Sequence, residues 1–539
     1  MKLYRKQTGL ALIIILTLAL VGGLSWLLLN LNKRQYQTSQ HMQTAIALAE
    51  AKEALLGYAA SYDRQFNSDG ILSGYYGFLP CPDYNTGAIL EGEQDGNCGG
   101  TERNKVGRLP WRTLGITPLR DGAGECLWYA VSGNYKVSPR ADLLNWDSAG
   151  RFVFQIGDDL GGTSHVVGTL VTTSPPFDPQ RPIAAIIAPG KRLSGQDRKP
   201  PSDPDKTKIC GGNYTTSHYL ELENNIIGEK TFTYGSLDID KNAVENIINS
   251  QPYNSVINDS IIYITQEELW EAISRRQDFV QQLQCLTQVV GHCVANYGRN
   301  YQRLPWPASV NVTDYRLDEK YEDNSGLTSL GRLPNLLEKS KQDLAPLSIT
   351  QDALLLKKIT PPLPDKPYYY FSCDLSQLGS NLSQCPNDNI IKNSELIKCD
   401  GTNKDDCLLN KNKSIEIIAR LWQNWKDHLF YQVSAPYQIN NAITPALTMP
   451  ICNSNCLTVN GLEYAAVILF AGKREPQQLR LDYPDKTTKE QLTYYLDAAN
   501  ADTDSSFIHK ITNRELTDDF AICIGGTNLE KEQVIPCPE

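Results

Sequence analysis

The hydrophobic pattern of the chain is dominated by one long apolar stretch close to the N-terminus. Residues 10–29 carry no polar side chain apart from Thr17 and Ser25, whose hydroxyls can bond back to the backbone of a helix. About 20 apolar residues suffice to cross the hydrocarbon core of a bilayer as a helix. The pattern therefore predicts a transmembrane helix over residues 10–32. Three cations precede this segment and two follow it, a bias that favours a cytoplasmic N-terminus.

The helical pattern continues without interruption beyond the apolar stretch. Residues 35–62 contain no proline and a single glycine, Gly57, and are rich in strong helix formers. Apolar residues recur there at spacings of three and four and share one broad face: Ala45, Leu48, Ala49, Leu55, Leu56 and Ala59. We predict one helix from Leu10 to Tyr62, with its first part in lipid and its second, amphipathic part packed on a folded domain.

The short basic leader that ends in Gly9, followed by this helix, resembles the N-terminus of type IV prepilins and type II secretion pseudopilins. The segment KQTGLALIIILTLALVGGLSWLLLNLN is most similar to the large minor pilins and tip pseudopilins of that superfamily. The resemblance implies that residues 1–9 are a leader, that prepilin peptidase cleaves between Gly9 and Leu10, and that the new amine is methylated. An uncleaved anchor and a secretory signal peptide are the alternatives.

One position departs from the pattern of the major pilins. Most pilins carry a glutamate five residues after the cleavage glycine, where it pairs with the N-terminal amine of a neighbouring subunit, but here that position is Ile14. Tip pseudopilins also lack this glutamate, which fits a subunit with nothing docked above it. The resemblance therefore implies a minor, initiating or tip-located subunit that packs on other pilins or pseudopilins through its N-terminal helix.

Beyond the helix, short sequence patterns occur twice in the same order. LPCP at 79–82 and LPWP at 304–307 are offset by 225 residues, and GRLP at 107–110 recurs at 331–334 with an offset of 224. Four further pairs keep the order: LWYAVSGNY (127–135) with LFYQVSAPY (429–437), PIAAIIAPGKR (182–192) with EYAAVILFAGKR (463–474), SHYLELENN (217–225) with TYYLDAANA (493–501), and NDSIIYI (258–264) with TDDFAICI (517–524). We interpret them as a tandem duplication, with units at 33–264 and 265–539.

Each unit is predicted to place one helix before a set of strands. The second unit opens with a capping-box pattern at 265–268, followed by a helical pattern that reaches about Tyr297. The predicted strands are short and rich in β-branched and aromatic residues: Leu127–Ser132, Ile183–Ala188, Ser260–Thr265, Leu429–Ser434, Ala465–Phe470 and Phe520–Ile524. This order predicts two tandem α+β domains, each an antiparallel sheet packed on a helix. The resemblance implies the same plan for a pilin head.

The net charge restricts the classes of binding partner, and the cysteine content indicates the cellular compartment. The 539 residues carry 51 Lys+Arg against 61 Asp+Glu, and a net charge of −10 argues against general nucleic-acid binding. The 14 cysteines include no CxxC pair and several lie in polar loops, so we predict disulfides in an oxidising compartment. The candidates are Cys81, Cys98, Cys373, Cys385, Cys399, Cys407, Cys452, Cys456, Cys523 and Cys537.

Sequence alone does not fix how these cysteines pair. The simplest pairs are close neighbours along the chain: 373/385, 399/407, 452/456 and 523/537. Cys285 and Cys293 are expected two turns apart on one helix, roughly 12 Å by helical rise, and therefore too distant to bridge each other.

Motifs for catalysis do not stand out. The six histidines are not accompanied by an HExxH, GxSxG or P-loop pattern. His218 and His428 flank predicted strands, and we interpret them as hydrogen-bonded structural residues. Oxygen-rich loops at 238–245 and 497–504 would admit Ca²⁺, with solvated carboxylates as the alternative. We therefore predict a protein that is not an enzyme and has no cofactor.

These predictions combine into one expected function. We expect a membrane-anchored minor pilin or pseudopilin-like subunit with a structural and assembly role in a type IV pilus or type II secretion-like fibre, with the tip as its favoured position. Its partners would be inner-membrane lipid, other pilins or pseudopilins, and prepilin peptidase. It would cross the inner membrane once, with a cytoplasmic N-terminus and its bulk in the periplasm or outside the cell. The alternative is a periplasmic binding protein or enzyme on an uncleaved single-helix anchor.

Overall fold

The protein is described from a computed structural model. The described residues are 8–62, 75–84, 90–100, 103–141, 143–157, 166–167, 182–200, 207–221, 231–235, 258–301, 303–312, 315, 320–324, 330–334, 336–338, 368–370, 421–438, 452, 455–475, 478, 480, 491–501, 506–507, 519–525 and 534–538. Within the first helix, side chains are described over 14–23 and 34–61.

The described residues form long helices and short strands in the order that the sequence predicts. The helices are α1 (Thr8–Ser61), α2 (Gln266–Ser274), α3 (Gln277–Tyr301) and the short α4 (Ala498–Ala501). The strands of the first unit are β1 (Lys105–Arg108), β2 (Trp128–Val131), β3 (Val153–Gly157), β4 (Val166–Val167), β5 (Pro182–Ala188), β6 (Thr231–Gly235) and β7 (Ser260–Thr265). Those of the second are β8 (Leu330–Arg332), β9 (Leu336–Glu338), β10 (Tyr368–Tyr370), β11 (Leu429–Val433), β12 (Leu457–Val459), β13 (Leu462–Phe470), β14 (Ser506–Phe507), β15 (Phe520–Gly525) and β16 (Val534–Pro536).

The first helix is continuous, as predicted, but its proposed role in the membrane is not supported. Across the described residues, no helix combines the length and the apolar character that a membrane crossing demands. The predictions of a transmembrane helix over 10–32 and of a single-pass inner-membrane location are therefore wrong. The α+β class with antiparallel sheets is confirmed.

The helix predicted to open the second unit is divided in two. Thr265 caps α2 as expected, since its hydroxyl accepts from the backbone of Glu268 while the Glu268 carboxylate accepts from the backbone of Thr265. The helix is then interrupted, because the Arg276 side chain donates to the carbonyl of Ala60 at the end of α1 and pairs with Asp278 at 2.7 Å. α3 begins directly after this contact.

Two sheets with one topology form the centre of the fold. In the first, β1, β2, β5 and β7 are neighbours in that order and all pairs are antiparallel. In the second, β8, β11, β13 and β15 repeat the order, and β12, β14 and β16 extend it. A register irregularity even recurs at the matched places, between Pro182 and Ala184 and between Tyr464 and Ala466. The six strand predictions are confirmed, whereas the unit boundaries themselves stay a prediction.

Both sheets contribute to a single hydrophobic core. The second part of α1 packs on β5, β7 and α2, and α3 packs on β13, β15 and β16. One cluster of buried residues runs from Leu48 and Leu55 of α1 through Trp270 of α2 to Leu286 of α3 and Ile468 of β13. The two units therefore share an interior.

Each sheet carries a buried tyrosine held between two arginines. Tyr219 lies 5.6 Å from the guanidinium of Arg108 and 4.7 Å from that of Arg198. In the second unit Tyr495 lies 4.7 Å from Arg332 and 4.9 Å from Arg480. The arginines donate mainly to loop carbonyls, for example Arg108 to Gly211 at 2.7 Å and Arg332 to Val310 at 2.8 Å. These contacts, which we call the arginine–tyrosine braces, tie the long loops to the sheet edges.

The position of α1 on the head is set by a close backbone approach. The turn at 121–125 has its amides bonded to the Asp121 carboxylate, which also accepts from Gly190 at 2.8 Å. Gly122 donates to the hydroxyl of Thr44 at 2.9 Å. A β-carbon at Gly122 would lie 2.1 Å from the carbonyl oxygen of Gln40. Only glycine therefore lets this turn meet the helix backbone.

We predict that Gly122→Ala lowers the free energy of unfolding by about 1–3 kcal/mol, because the methyl group forces the turn and α1 apart. The matched control is Gly96→Ala, since a β-carbon at Gly96 meets nothing within 4 Å. Denaturant unfolding of both variants measures the difference. Equal stabilities would contradict the close approach at Gln40.

Candidate functional site

The residues predicted for processing and packing lie at the start of α1. Gly9 and Leu10 are helical, and the side chain of Leu10 lies outside those described. Ile14 is 49% exposed. The predicted roles of these three residues stay predictions.

The prediction of disulfide bonds is confirmed. Cys81 pairs with Cys98, and the two predicted near pairs within the described residues, Cys452–Cys456 and Cys523–Cys537, are both formed. Cys126 pairs with Cys210 across 84 residues, a connection that sequence proximity could not indicate. Cys285 and Cys293 share α3, and both are disulfide-bonded. The candidates Cys373, Cys385, Cys399 and Cys407 lie outside the described residues.

A buried lysine holds the loop that the first of these disulfides closes. The ammonium group of Lys136, which has no exposed surface, donates to the carbonyls of Cys98, Gly100 and Arg103 at 2.9, 2.6 and 3.0 Å. It supplies positive charge at a place lined by carbonyl oxygens. The described part of the chain contains no group of three or more His, Cys, Asp or Glu that could hold a metal ion. Residues 238–245, one of the two loops considered for Ca²⁺, lie outside it.

The strongest polar cluster in the described residues lies where the two units meet. A loop of the first unit, residues 143–149, enters the second unit beside residues 424–428. The side-chain amide of Asn145 donates to the carbonyl of Asn424 and to the carboxylate of Asp427, both at 2.9 Å. The Asn424 side chain in turn accepts from the backbone of Leu144 at 3.1 Å. We call this contact region the joint.

Four charged or ionisable side chains converge at the joint. The carboxylate of Asp147 lies 2.9 Å from Nε of Arg480 and 2.9 Å from Nε2 of His428. The other ring nitrogen of His428, Nδ1, lies 2.9 Å from the carboxylate of Asp427. None of these side chains has exposed surface. Asp147 of the first unit therefore forms a fully buried ion pair with Arg480 of the second.

The imidazole of His428 has a partner for Nε2 in either protonation state. The indole of Trp146 donates to Nε2 at 2.8 Å, which suits a neutral ring whose Nδ1 donates to Asp427. In an imidazolium, Nε2 would instead donate to Asp147. His428 is hydrogen-bonded, as predicted, and its purely structural role stays a prediction.

Aromatic rings close the joint from the apolar side. Trp146 meets Trp425 edge-on with centroids 4.6 Å apart, and Trp425 meets Trp270 at 5.6 Å. Phe470 lies 5.9 Å from both Trp146 and His428. Such an enclosure strengthens the ionic contacts, because water no longer screens them.

The geometry of the joint supports a mechanical role rather than chemistry. An aspartate beside a histidine is typical of catalytic sites, but here every one of these side chains is shielded from solvent. A substrate cannot reach them. The cluster instead fixes the orientation of one unit on the other, since breaking it would leave buried charges without partners.

Sequence reasoning missed most residues of the joint, although one signal was available. Both units contain the pattern GKR-xxx-Q-x-R, at 190–198 and at 472–480. Its last residue is the buried Arg198 in the first unit and Arg480 in the second. Asn145 and Asp147 have no comparable signal, because they belong to a loop that interacts only across the units.

Comparison with known proteins does not assign this chain to a family or a function. No protein-family model matches the chain, and neither a curated protein nor a solved structure matches it. The interpretation of the site therefore rests on its geometry.

We predict that Asp147→Ala and Arg480→Ala each lower the free energy of unfolding by about 3–5 kcal/mol, because each leaves a buried charge without its partner. The double variant should lose less than the sum of the two. Denaturant unfolding of the four proteins measures this coupling.

The matched control for this cycle is the exposed pair Glu271–Arg275, whose side chains are 54% and 76% exposed. We expect it to be worth less than about 0.5 kcal/mol. Additive effects at Asp147 and Arg480 would show that the joint is not an ion pair in solution.

Proposed function

We propose that this chain is a structural and assembly subunit of a fibre related to type IV pili or type II secretion pseudopili, and that it acts at the tip or as an initiating subunit. Its first helix would join the helices of other subunits, and the duplicated head would stand at the end of the assembly. In this proposal the chain has no enzymatic activity of its own.

The observation that supports the proposal is the contrast between the two parts of α1. In the second part, Ala51, Leu55 and Ala59 have no exposed surface because they pack on the head. In the first part, the apolar side chains are 49–67% exposed: Ile14, Ile15, Leu16, Leu18, Leu20 and Val21. One helix therefore contains a part that the chain covers itself and a part that it leaves uncovered.

The uncovered part is apolar on every side. At 100° per residue, Ile14, Ile15 and Leu16 already point in three different directions around the helix axis. A helix that is apolar all round is normally buried, and exposed apolar patches of this kind mark interaction sites. Helices of other subunits would supply the missing cover, with packing between apolar side chains as the source of affinity.

Two further features favour a fibre subunit. The joint and the shared core connect the two sheets of the head, which suits a part that transmits position rather than turning over substrate. Ile14 stands where most subunits of the resembled superfamily carry a glutamate for the amine of a neighbour, which fits the proposed position at the tip.

Mass spectrometry of the N-terminus, on protein isolated from its native cells, tests the processing step. We expect the chain to begin at Leu10 with a methylated amine. Replacing Gly9 with a bulky residue should abolish the cleavage. A chain that begins at Met1 would remove the prepilin-peptidase part of the proposal.

A charge in the uncovered part of α1 tests the packing role. We predict that Leu18→Arg lowers the amount of this chain in the sheared fibre fraction about tenfold or more, since about 1.4 kcal/mol corresponds to a factor of ten and an unpaired buried charge costs more than that. The control is Leu90→Arg, which changes a side chain of similar exposure, 58% against 67% for Leu18, outside the helix. Equal incorporation of the two variants would contradict the packing role.

A further inference from the structure

Two cysteines of α3 form disulfides, but not with each other. Cys285 and Cys293 are buried, and both are disulfide-bonded. They lie two turns apart on one continuous helix, roughly 12 Å by helical rise. The disulfides whose two cysteines are both described join Cα atoms that are only 4.9–5.9 Å apart. Each of the two bonds therefore leads to a different cysteine elsewhere in the chain.

The other cysteines of the described residues are not available as partners, because they are bonded to one another. Their pairs are Cys81–Cys98, Cys126–Cys210, Cys452–Cys456 and Cys523–Cys537. The sheet on which α3 packs shows the same exclusion in its geometry. Ile522 of β15 belongs to the core that contains α3, whereas the next residue, Cys523, belongs to the cluster on the other face of the sheet.

The position of Cys293 on the helix also directs it away from this sheet. Gly291 faces the sheet closely, since a β-carbon there would lie 2.8 Å from the side chain of Ile522. Cys293 follows Gly291 by two residues, which places it roughly 200° further around the helix axis. Its bond therefore leaves α3 on the side that is remote from β15.

The chain contains four more cysteines, and all of them lie between β10 and β11: Cys373, Cys385, Cys399 and Cys407. They lie outside the described residues. Comparison of the two units identifies this stretch as an insertion in the second unit, because the offset between matched patterns rises from 224 at 331–334 to 302 at 429–437. The first unit has no such insertion, and its helix α1 contains no cysteine. Cysteines in the helix and cysteines in the insertion therefore occur together.

We propose that Cys285 and Cys293 each form a disulfide with a different cysteine of this insertion, so that two covalent bonds tie the insertion to α3. Each bond joins two sulfur atoms and releases two protons and two electrons, and the electrons pass to a disulfide-bearing oxidant by thiol–disulfide exchange. The two cysteines of the insertion that remain can pair with each other. At most one of the near pairs 373/385 and 399/407 then forms. This inference is independent of the proposed function.

Mass spectrometry of the unreduced full chain tests these bonds. The protein is alkylated to block free thiols and digested with pepsin at acidic pH, where exchange is slow because thiolate is scarce. Cleavage after Leu286 separates the two cysteines of α3. We expect each of the two helix peptides to be linked to a peptide from the insertion. A bond between Cys285 and Cys293, a bond from either of them to a cysteine outside the insertion, or the presence of both near pairs would overturn the proposal.

Single serine variants identify the partner of each helix cysteine. In Cys285→Ser and in Cys293→Ser, alkylation of the denatured protein should label one cysteine of the insertion, and a different one in each variant. The matched control is Cys452→Ser, which should expose Cys456 to the reagent and no cysteine of the insertion. The digest of the wild type decides the proposal even where a variant fails to fold. A species of twice the mass that disappears on reduction would place the bonds between two copies of the chain and would also overturn it.

Discussion

The burial of arginine at matched positions is the constraint on which the rest of the head depends. A guanidinium group presents five donors and cannot lose its charge inside a protein. Removing Arg108 and Arg332 from water is tolerable only because loop carbonyls and aromatic faces replace that water. Long loops without regular structure are thus held at fixed places above each sheet. Tyr219 and Tyr495 gain their positions in the same way, each between two such cations.

One arginine of these braces, Arg480, also forms the ion pair of the joint. The partners of Arg198 among the described residues belong to its own unit, where Glu125 lies 3.1 Å away. Its counterpart Arg480 also contacts a tyrosine, Tyr495, but its Nε lies beside the carboxylate of Asp147 from the other unit. A duplication that began as two separate sheets would gain a shared core in this way, because the ion pair is stable only when both units enclose it. Trp146 and Trp425 provide that enclosure.

The sequence predicted the regular elements well, since their signals are local. Strands such as β5 and β13 can be recognised from continuous runs of β-branched and small residues. The capping box at Thr265 can be recognised from four consecutive residues. The break before α3 was missed because it depends on Arg276 reaching Ala60, a contact between distant segments. The disulfide Cys126–Cys210 was missed for the same reason. The membrane span was predicted from composition along the chain, but no helix of the described residues is both long and apolar enough to cross a membrane.

The two long helices of the molecule differ in how far the described residues cover them. α3 is buried along most of its length, with Leu286, Val290 and Val294 enclosed by the second sheet and the shared core. α1 is covered only where the first sheet reaches it, up to the close approach of Gly122 at Gln40. Among the described residues, the side chains of α1 before that contact are mostly exposed. The proposed role in a fibre would therefore depend on this first part of α1, because the described part of α3 is already enclosed.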